Sequence, residues 1–339
     1  MPRIAMIVLG VFLLLAQGPA WADATIESTV KTGGIKGMGA SEGILIKRYQ
    51  GDKMWESASS KFTGAILSRI AGGGENVSII RLDKGVYWSL DPKNKTYMEK
   101  AIEPFARQES KERTEKEQPK VRVTKSEFTV KKTGASETIN GFPSEEYLIT
   151  WFLELEDRES KAKTRSTMSN HLWTTPMTAT IRKARQEEQE FNKAYARKLG
   201  IGFSPEEGKQ LGMETLGAAL GMPPEEIEKG LRRVKEEMSK IQGYPIRSAV
   251  NWTLEGDPSA AAGKGEGAAS GSKEESPKSI GGFLSGLAGK ITEKASGEKT
   301  SSSGEKSEPF FSSITEVKAI QADSISAKVF EVPDGYVKK

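Results

Sequence analysis

The chain has 339 residues, 28% of them charged and 36% hydrophobic, with 50 basic against 46 acidic side chains and a formal charge of +4. So even a balance lacks the concentrated basic face that nucleic acid requires, and nucleic acid is excluded as the main partner. The sequence has no cysteine, which removes disulfides, thiolate metal sites and a lipid-modified cysteine anchor.

The first 22 residues read as a secretory signal peptide. Arg3 gives the positive start, Ile4–Ala16 is apolar apart from Gly10, and Ala20-Trp21-Ala22 satisfies the small-x-small rule, so cleavage is expected before Asp23. The apolar run is shorter than the roughly 20 residues of a membrane-spanning helix. A soluble, periplasmic protein without a lipid anchor is the expectation, folded on its own apolar core.

Strands follow. Ile44-Leu45-Ile46 leads to Tyr49, and Gln50-Gly51-Asp52 turns the chain into Lys53-Met54-Trp55. After Gly72-Gly73-Gly74 comes Val77–Leu82, closed by Asp83-Lys84-Gly85, with Gly85 as the left-handed residue of a three-residue hairpin loop. Val86, Trp88 and Leu90 share one face, Tyr87 and Ser89 the other. Asp91-Pro92-Lys93-Asn94 predicts the next turn, with Asn94 tolerating a positive φ, and Thr96-Tyr97-Met98 returns as a third strand.

Two later strands alternate cleanly: Tyr147, Ile149, Trp151, Leu153 and Leu155 on one side, then Ile246, Val250, Trp252 and Leu254. Period two with one polar face predicts an antiparallel sheet covered on one side only. Between them lies a helical block over 176–243. Thr175-Pro176 opens a helix that reaches Leu199 and stops at Gly200; Ser204-Pro205-Glu206-Glu207 is a capping box. Ile227, Leu231, Val234, Met238 and Ile241 form one apolar stripe ended by Gly243. The stripe reads as packing onto the sheet.

Two stretches lack a core pattern. Arg107–Lys120 has no large apolar side chain and reads as a solvated loop, and 256–308 is Gly, Ala, Ser, Lys and Glu with little else, a disordered insert. Inside the insert Ile280, Phe283, Leu284, Leu287 and Ile291 are spaced three and four apart. They form either an amphipathic membrane or lid segment, with peripheral membrane contact, or a sticky patch in a linker; four nearby glycines, each costing about 1 kcal/mol in a helix, favour the second.

Chemistry is hard to find. His171 is the one histidine, on the same face as Trp173, so a multi-histidine metal site is impossible and a general base would need a carboxylate beside it. No GxSxG elbow or HExxH motif occurs. The glycine-rich 32–43 stretch has Glu42 where a dinucleotide loop needs glycine, and "GLAGKIT" has Ile291 where a phosphate loop needs Ser or Thr. The expectation is a non-enzyme with no cofactor and no metal.

The segments "IIRLDKGVYWSLDPKNKTYMEK", "ETINGFPSEEYLITW" and "VFEVPDGYVKK" resemble an exported bacterial family, a domain of unknown function, with a D-K-x-V-x-W-x-L-x-P hairpin, a G-x-x-x-E-x-Y strand and a closing F-x-x-P-x-G-Y. That family is in turn similar to the LolA/LolB lipoprotein carriers. The resemblance implies an α+β fold, a curved antiparallel half-barrel covered by helices inserted late in the chain, formed by 23–255 with 309–339. It implies a periplasmic binding protein holding a lipid, acyl chain or lipoprotein; no counterpart of the carriers' functional residues is identifiable. Trp88, Leu90, Trp151, Trp173 and Trp252 are the candidate ligand-binding residues, taken as one concave apolar face. The alternative is an envelope structural or interaction protein whose core is filled by its own side chains.

Overall fold

A computed structural model describes residues 23–35, 39–63, 73–104, 121–158, 161–200, 224–255 and 309–339. They form one open, curved sheet of 12 strands, antiparallel except at one edge, with few helices.

The sheet is two meanders joined side by side. The first runs β1 (Ala24–Ile35), β2 (Ser41–Gln50), β3 (Lys53–Phe62), β4 (Gly74–Arg81), β5 (Val86–Asp91) and β6 (Thr96–Ala101), each beside the last. The second runs β7 (Val121–Ile139), β8 (Phe142–Asp157), β9 (Lys163–Thr175), β10 (Tyr244–Glu255) and β11 (Phe311–Gln321), and β11 closes onto β1. The last strand, β12 (Val337–Lys338), lies at the far edge, parallel to β6. To reach it from β11, residues 322–336 must cross the sheet.

The 81–100 stretch is a meander as expected, and Gly85 has φ +69° in its hairpin loop. The next turn differs in detail. Asp91 accepts hydrogen bonds from the Asn94 backbone and side chain, and the left-handed residue is Lys95 at φ +49°, not Asn94. The Asn94 side chain is committed to Asp91, so the loop closes one residue later.

Helix α1 (Ala179–Lys198) starts later than Thr175-Pro176 because Thr174 and Thr175 remain in β9. Thr178 caps it instead, accepting from the Ile181 N–H at 3.2 Å. Ile181, Ala184 and Phe191 repeat at three and seven, and the resulting stripe is buried against β1, β2 and β11. At its other end the Lys198 ammonium donates to the Leu82 carbonyl at 2.7 Å, tying the helix to the β4–β5 hairpin.

Helix α2 (Pro224–Met238) ends before Ile241, and Ile241 packs on Val130, Tyr147, Ile149 and Leu172. Gly243 then turns the chain at φ +89°, where a Cβ would lie 2.5 Å from the Thr175 carbonyl oxygen, so both conformation and space demand glycine. From α2, Glu237 accepts the Val130 backbone N–H at 2.8 Å on the outermost strand β7. The capping box at 204–207 and the 107–120 loop lie outside the described residues.

Strand β7 and the β7–β8 turn complete the second meander. Asn140 and Gly141, at φ +51° and +86°, make the turn, as an Asn-Gly hairpin requires. The hairpin tip reaches β11: Asn140 donates to the Val317 carbonyl and to Glu316, and Glu316 also accepts from Arg247 and Lys318. Burial alone would raise the Glu316 carboxyl, but these donors outweigh it and hold the pKa at about 2. A depressed folded-state pKa means that stability is present above the unfolded value near 4.5 and is lost as pH falls toward 2. Acid titration of unfolding should therefore show a steeper loss between pH 4.5 and 2 in the parent than in Glu316→Gln. Superimposable acid limbs would refute this assignment.

Candidate functional site

The faces of the sheet can be traced strand by strand, because directly paired residues share a face. On the face that carries α1 and α2, one transverse row runs through five strands. Phe128 pairs with Trp151, Trp151 with Met168, Met168 with Trp252, and Trp252 with Phe311. Four inter-strand steps of about 4.8 Å make the row about 19 Å long. Each of the five side chains is half-buried.

Neighbouring rows explain why these side chains remain half-open. On one side, Val130 and Ile149 are buried beneath Ile241, which follows the end of α2. On the other, Ser126, Leu153, Ser166 and Leu254 follow in the same register, apolar and hydroxyl side chains alternating. The two serines hold the indole N–H groups. Trp252 Nε1 donates to Ser166 Oγ at 2.7 Å, and Trp151 Nε1 to Ser126 Oγ at 3.5 Å. With their polar edges satisfied, both tryptophans offer apolar ring surface. Phe310 packs edge-on against Trp252 at 5.9 Å between ring centroids.

The five tryptophan and leucine candidates therefore separate. Trp151 and Trp252 are together, with Phe128, Met168 and Phe311 as members of the row that the sequence reading missed. Trp88 and Leu90 are on the opposite face, in a cluster with Val77, Ile79 and Phe330. The crossing segment 322–336 covers them, and Phe330, fully buried, occupies the space beneath. Trp88 Nε1 donates to Glu99 at 2.8 Å. Trp173 pairs with Glu146 and Arg247, so it faces away from Leu172 and the row, and packs against the main core at the end of β9. Ile280, Phe283, Leu284, Leu287 and Ile291 lie outside the described residues.

His171 does have a carboxylate beside it. Its Nδ1 lies 2.7 Å from Glu146 Oε1, and Glu146 also accepts from Thr133 at 2.6 Å. The Thr133 bond, and behind it the His171 pair, keep the Glu146 carboxyl below the ordinary range despite burial. The cross-strand neighbours of His171 are Leu148 and Ala249, which offer no hydroxyl or thiol to activate. Among the described residues no three His, Cys, Asp or Glu side chains group to hold a metal ion, and no helix is long and apolar enough to cross a membrane.

Two surface hollows, of about 360 and 280 Å³, lie away from the row, at the start of α1 beside Ile320–Asp323 and around Asn76, Leu90 and Tyr97. The row itself is an open apolar strip on a sheet face. No protein-family model and no curated protein matches the chain.

Proposed function

We propose that the protein is an exported, periplasmic, non-enzymatic binding protein that holds a hydrophobic ligand, a lipid or acyl chain, along the Phe128–Trp151–Met168–Trp252–Phe311 row. The single observation behind this reading is the row itself: five large apolar side chains in one register, half-exposed, with their indole N–H groups already satisfied. Fully covering a side chain of this kind contributes about 1.5–3 kcal/mol. An apolar chain laid across five strands thus gains more than a contact with any single residue gives. An open antiparallel sheet with helices on one face is also the arrangement that a LolA/LolB-like carrier needs, and the N-terminal 22 residues supply the export signal.

The test is extraction of the mature protein, purified from its native periplasm, with organic solvent. Near-stoichiometric lipid is expected from the parent and at least a tenfold loss from the Trp151→Ala/Trp252→Ala double variant. A clean parent protein, with no tryptophan response to added phospholipid vesicles, would sink the reading. The second reading, an envelope interaction protein with a filled core, draws on Phe330, which already fills the opposite face beneath Trp88 and Leu90. It predicts the clean extract.

A further inference from the structure

Two carboxylates meet at the β2–β3 turn with no cation hydrogen-bonded to either among the described residues. Asp23 is buried just before β1, and Ala24 beside it is fully buried and paired with Tyr49. The Asp23 carboxylate accepts from Gln50 Nε2 at 2.9 Å and from the Ile325 backbone N–H, where the crossing segment begins. From the other side comes Glu187 of α1, only 3% exposed, whose carboxylate accepts from the Gly51 backbone N–H at 3.3 Å. Gln50 and Gly51 are consecutive, so both acids converge on one turn. Glu188 is adjacent, accepting from the Tyr49 hydroxyl at 3.4 Å. Burial and then the charges of Asp23 and Glu190 push the Glu187 carboxyl upward.

A buried carboxylate facing further acids is costly unless a cation reaches it. One is generated at this place by the processing expected from the sequence. Hydrolysis of the Ala22–Asp23 peptide bond consumes one water, leaves a carboxylate on Ala22 of the departing leader, and gives Asp23 an α-amino group. That amine, with an ordinary pKa near 7.7–8.0, takes a proton and is largely charged at neutral pH. It is carried on the residue whose own side chain is already fixed in the cluster.

We propose that the α-ammonium of Asp23, released by removal of residues 1–22, is the cationic partner of Glu187, and that this pair fastens β1, α1 and the start of the C-terminal crossing segment together. The inference rests on the exported reading above. Its consequence is directional: the precursor, with an amide nitrogen at residue 23, lacks the pair, so the fold gains its last fastening only after export.

The test compares two mature chains, one starting at Asp23 and one carrying a single extra glycine before it, which moves the ammonium by about 3.8 Å. Glu187→Gln is introduced into each. In the chain starting at Asp23 the substitution is expected to lower Tm by about 3–8 °C, the scale of a buried pair in a protein of this size. In the glycine-extended chain it should leave Tm unchanged or raise it, because the uncompensated charge is removed. Equal shifts in the two chains would overturn the pairing. N-terminal sequencing of the native periplasmic protein decides the processing separately: a start other than Asp23 overturns that step whatever the melting data show.

Discussion

Phe330→Ala should lower unfolding stability by about 3–5 kcal/mol, the range for truncating a fully buried aromatic side chain, and should release the crossing segment. Phe330 is 0% exposed and is enclosed by Val77, Ile79, Trp88 and Leu90 of the sheet, with Val329, Val332 and Tyr336 of its own segment around it. Polar fastenings on either side hold the segment but cannot replace this packing. Ile325 donates to Asp23, and Arg81, buried itself, donates to the Phe330 carbonyl and pairs with Asp83 and Glu331. Lys84 adds a second contact to Glu331. These groups stay hydrated or find partners when the segment leaves, so their net contributions are smaller. Urea denaturation gives the energy; a red shift of tryptophan emission below the transition, as Trp88 is uncovered, and early C-terminal proteolysis report the release. A loss under about 1 kcal/mol would show that the segment is not part of the fold's stability.

The second large effect is expected in the main core. Phe191→Ala in α1 should also cost about 3–5 kcal/mol, because Phe191 is 1% exposed and lies between Tyr49, tilted against it at 5.6 Å, and Tyr195, stacked on it at 6.0 Å. Helix α1 holds the sheet through this side chain together with Ile181 and Ala184. Trp151→Ala in the same background should cost less than half as much, since a half-exposed ring leaves less surface to lose and no closed cavity behind. The contrast is informative for function. If Trp151→Ala proved as damaging as Phe191→Ala, the row would be part of a filled core and the ligand reading would lose its basis. Thermal or urea melts of the two variants in ligand-free protein make the comparison.

Much of the first meander was legible in the sequence because its turns carry their own chemistry. Gly85 and the Asp91-Pro92 turn bracket β5 tightly enough that alternation gives the strand directly. The odd positions of β8 and the apolar positions of β10 were equally plain. Strand β7 was not. Its register breaks between Val123 and Lys125 and again between Lys132 and Ser136, so the period-two pattern slips twice, and its outer position leaves many polar side chains. The Asn140-Gly141 turn was the signal that could have found it.

The assignment of faces failed for a different reason. Alternation says that Trp88 and Leu90 share a side, and that Trp151 and Leu153 do. It does not relate one strand's sides to those of another eight places away in the sheet, which takes every intervening register. Met168 is a lone apolar residue among serines, threonine and asparagine, and Phe311 follows Phe310 at the start of its strand with two serines after it, so neither shows alternation; only pairing with Trp252 makes a row of them. Phe330 carried no periodic signal at all, since its burial depends on a crossing that no local pattern encodes.

The adjacency of β10 and β11 has a consequence for how the protein can vary. Trp252 lies directly opposite Phe311, so the two strands need nothing but a tight hairpin between them, yet 53 residues, 256–308, separate Glu255 from Pro309. Lengthening the chain that joins two paired strand ends costs only about 0.6 kcal/mol for each doubling. Sequence at this junction is therefore nearly free to grow, shrink or be exchanged without disturbing the ladder on either side. A guest domain, an affinity tag or a fluorescent reporter placed there would stand at the end of the aromatic row while the sheet kept its register.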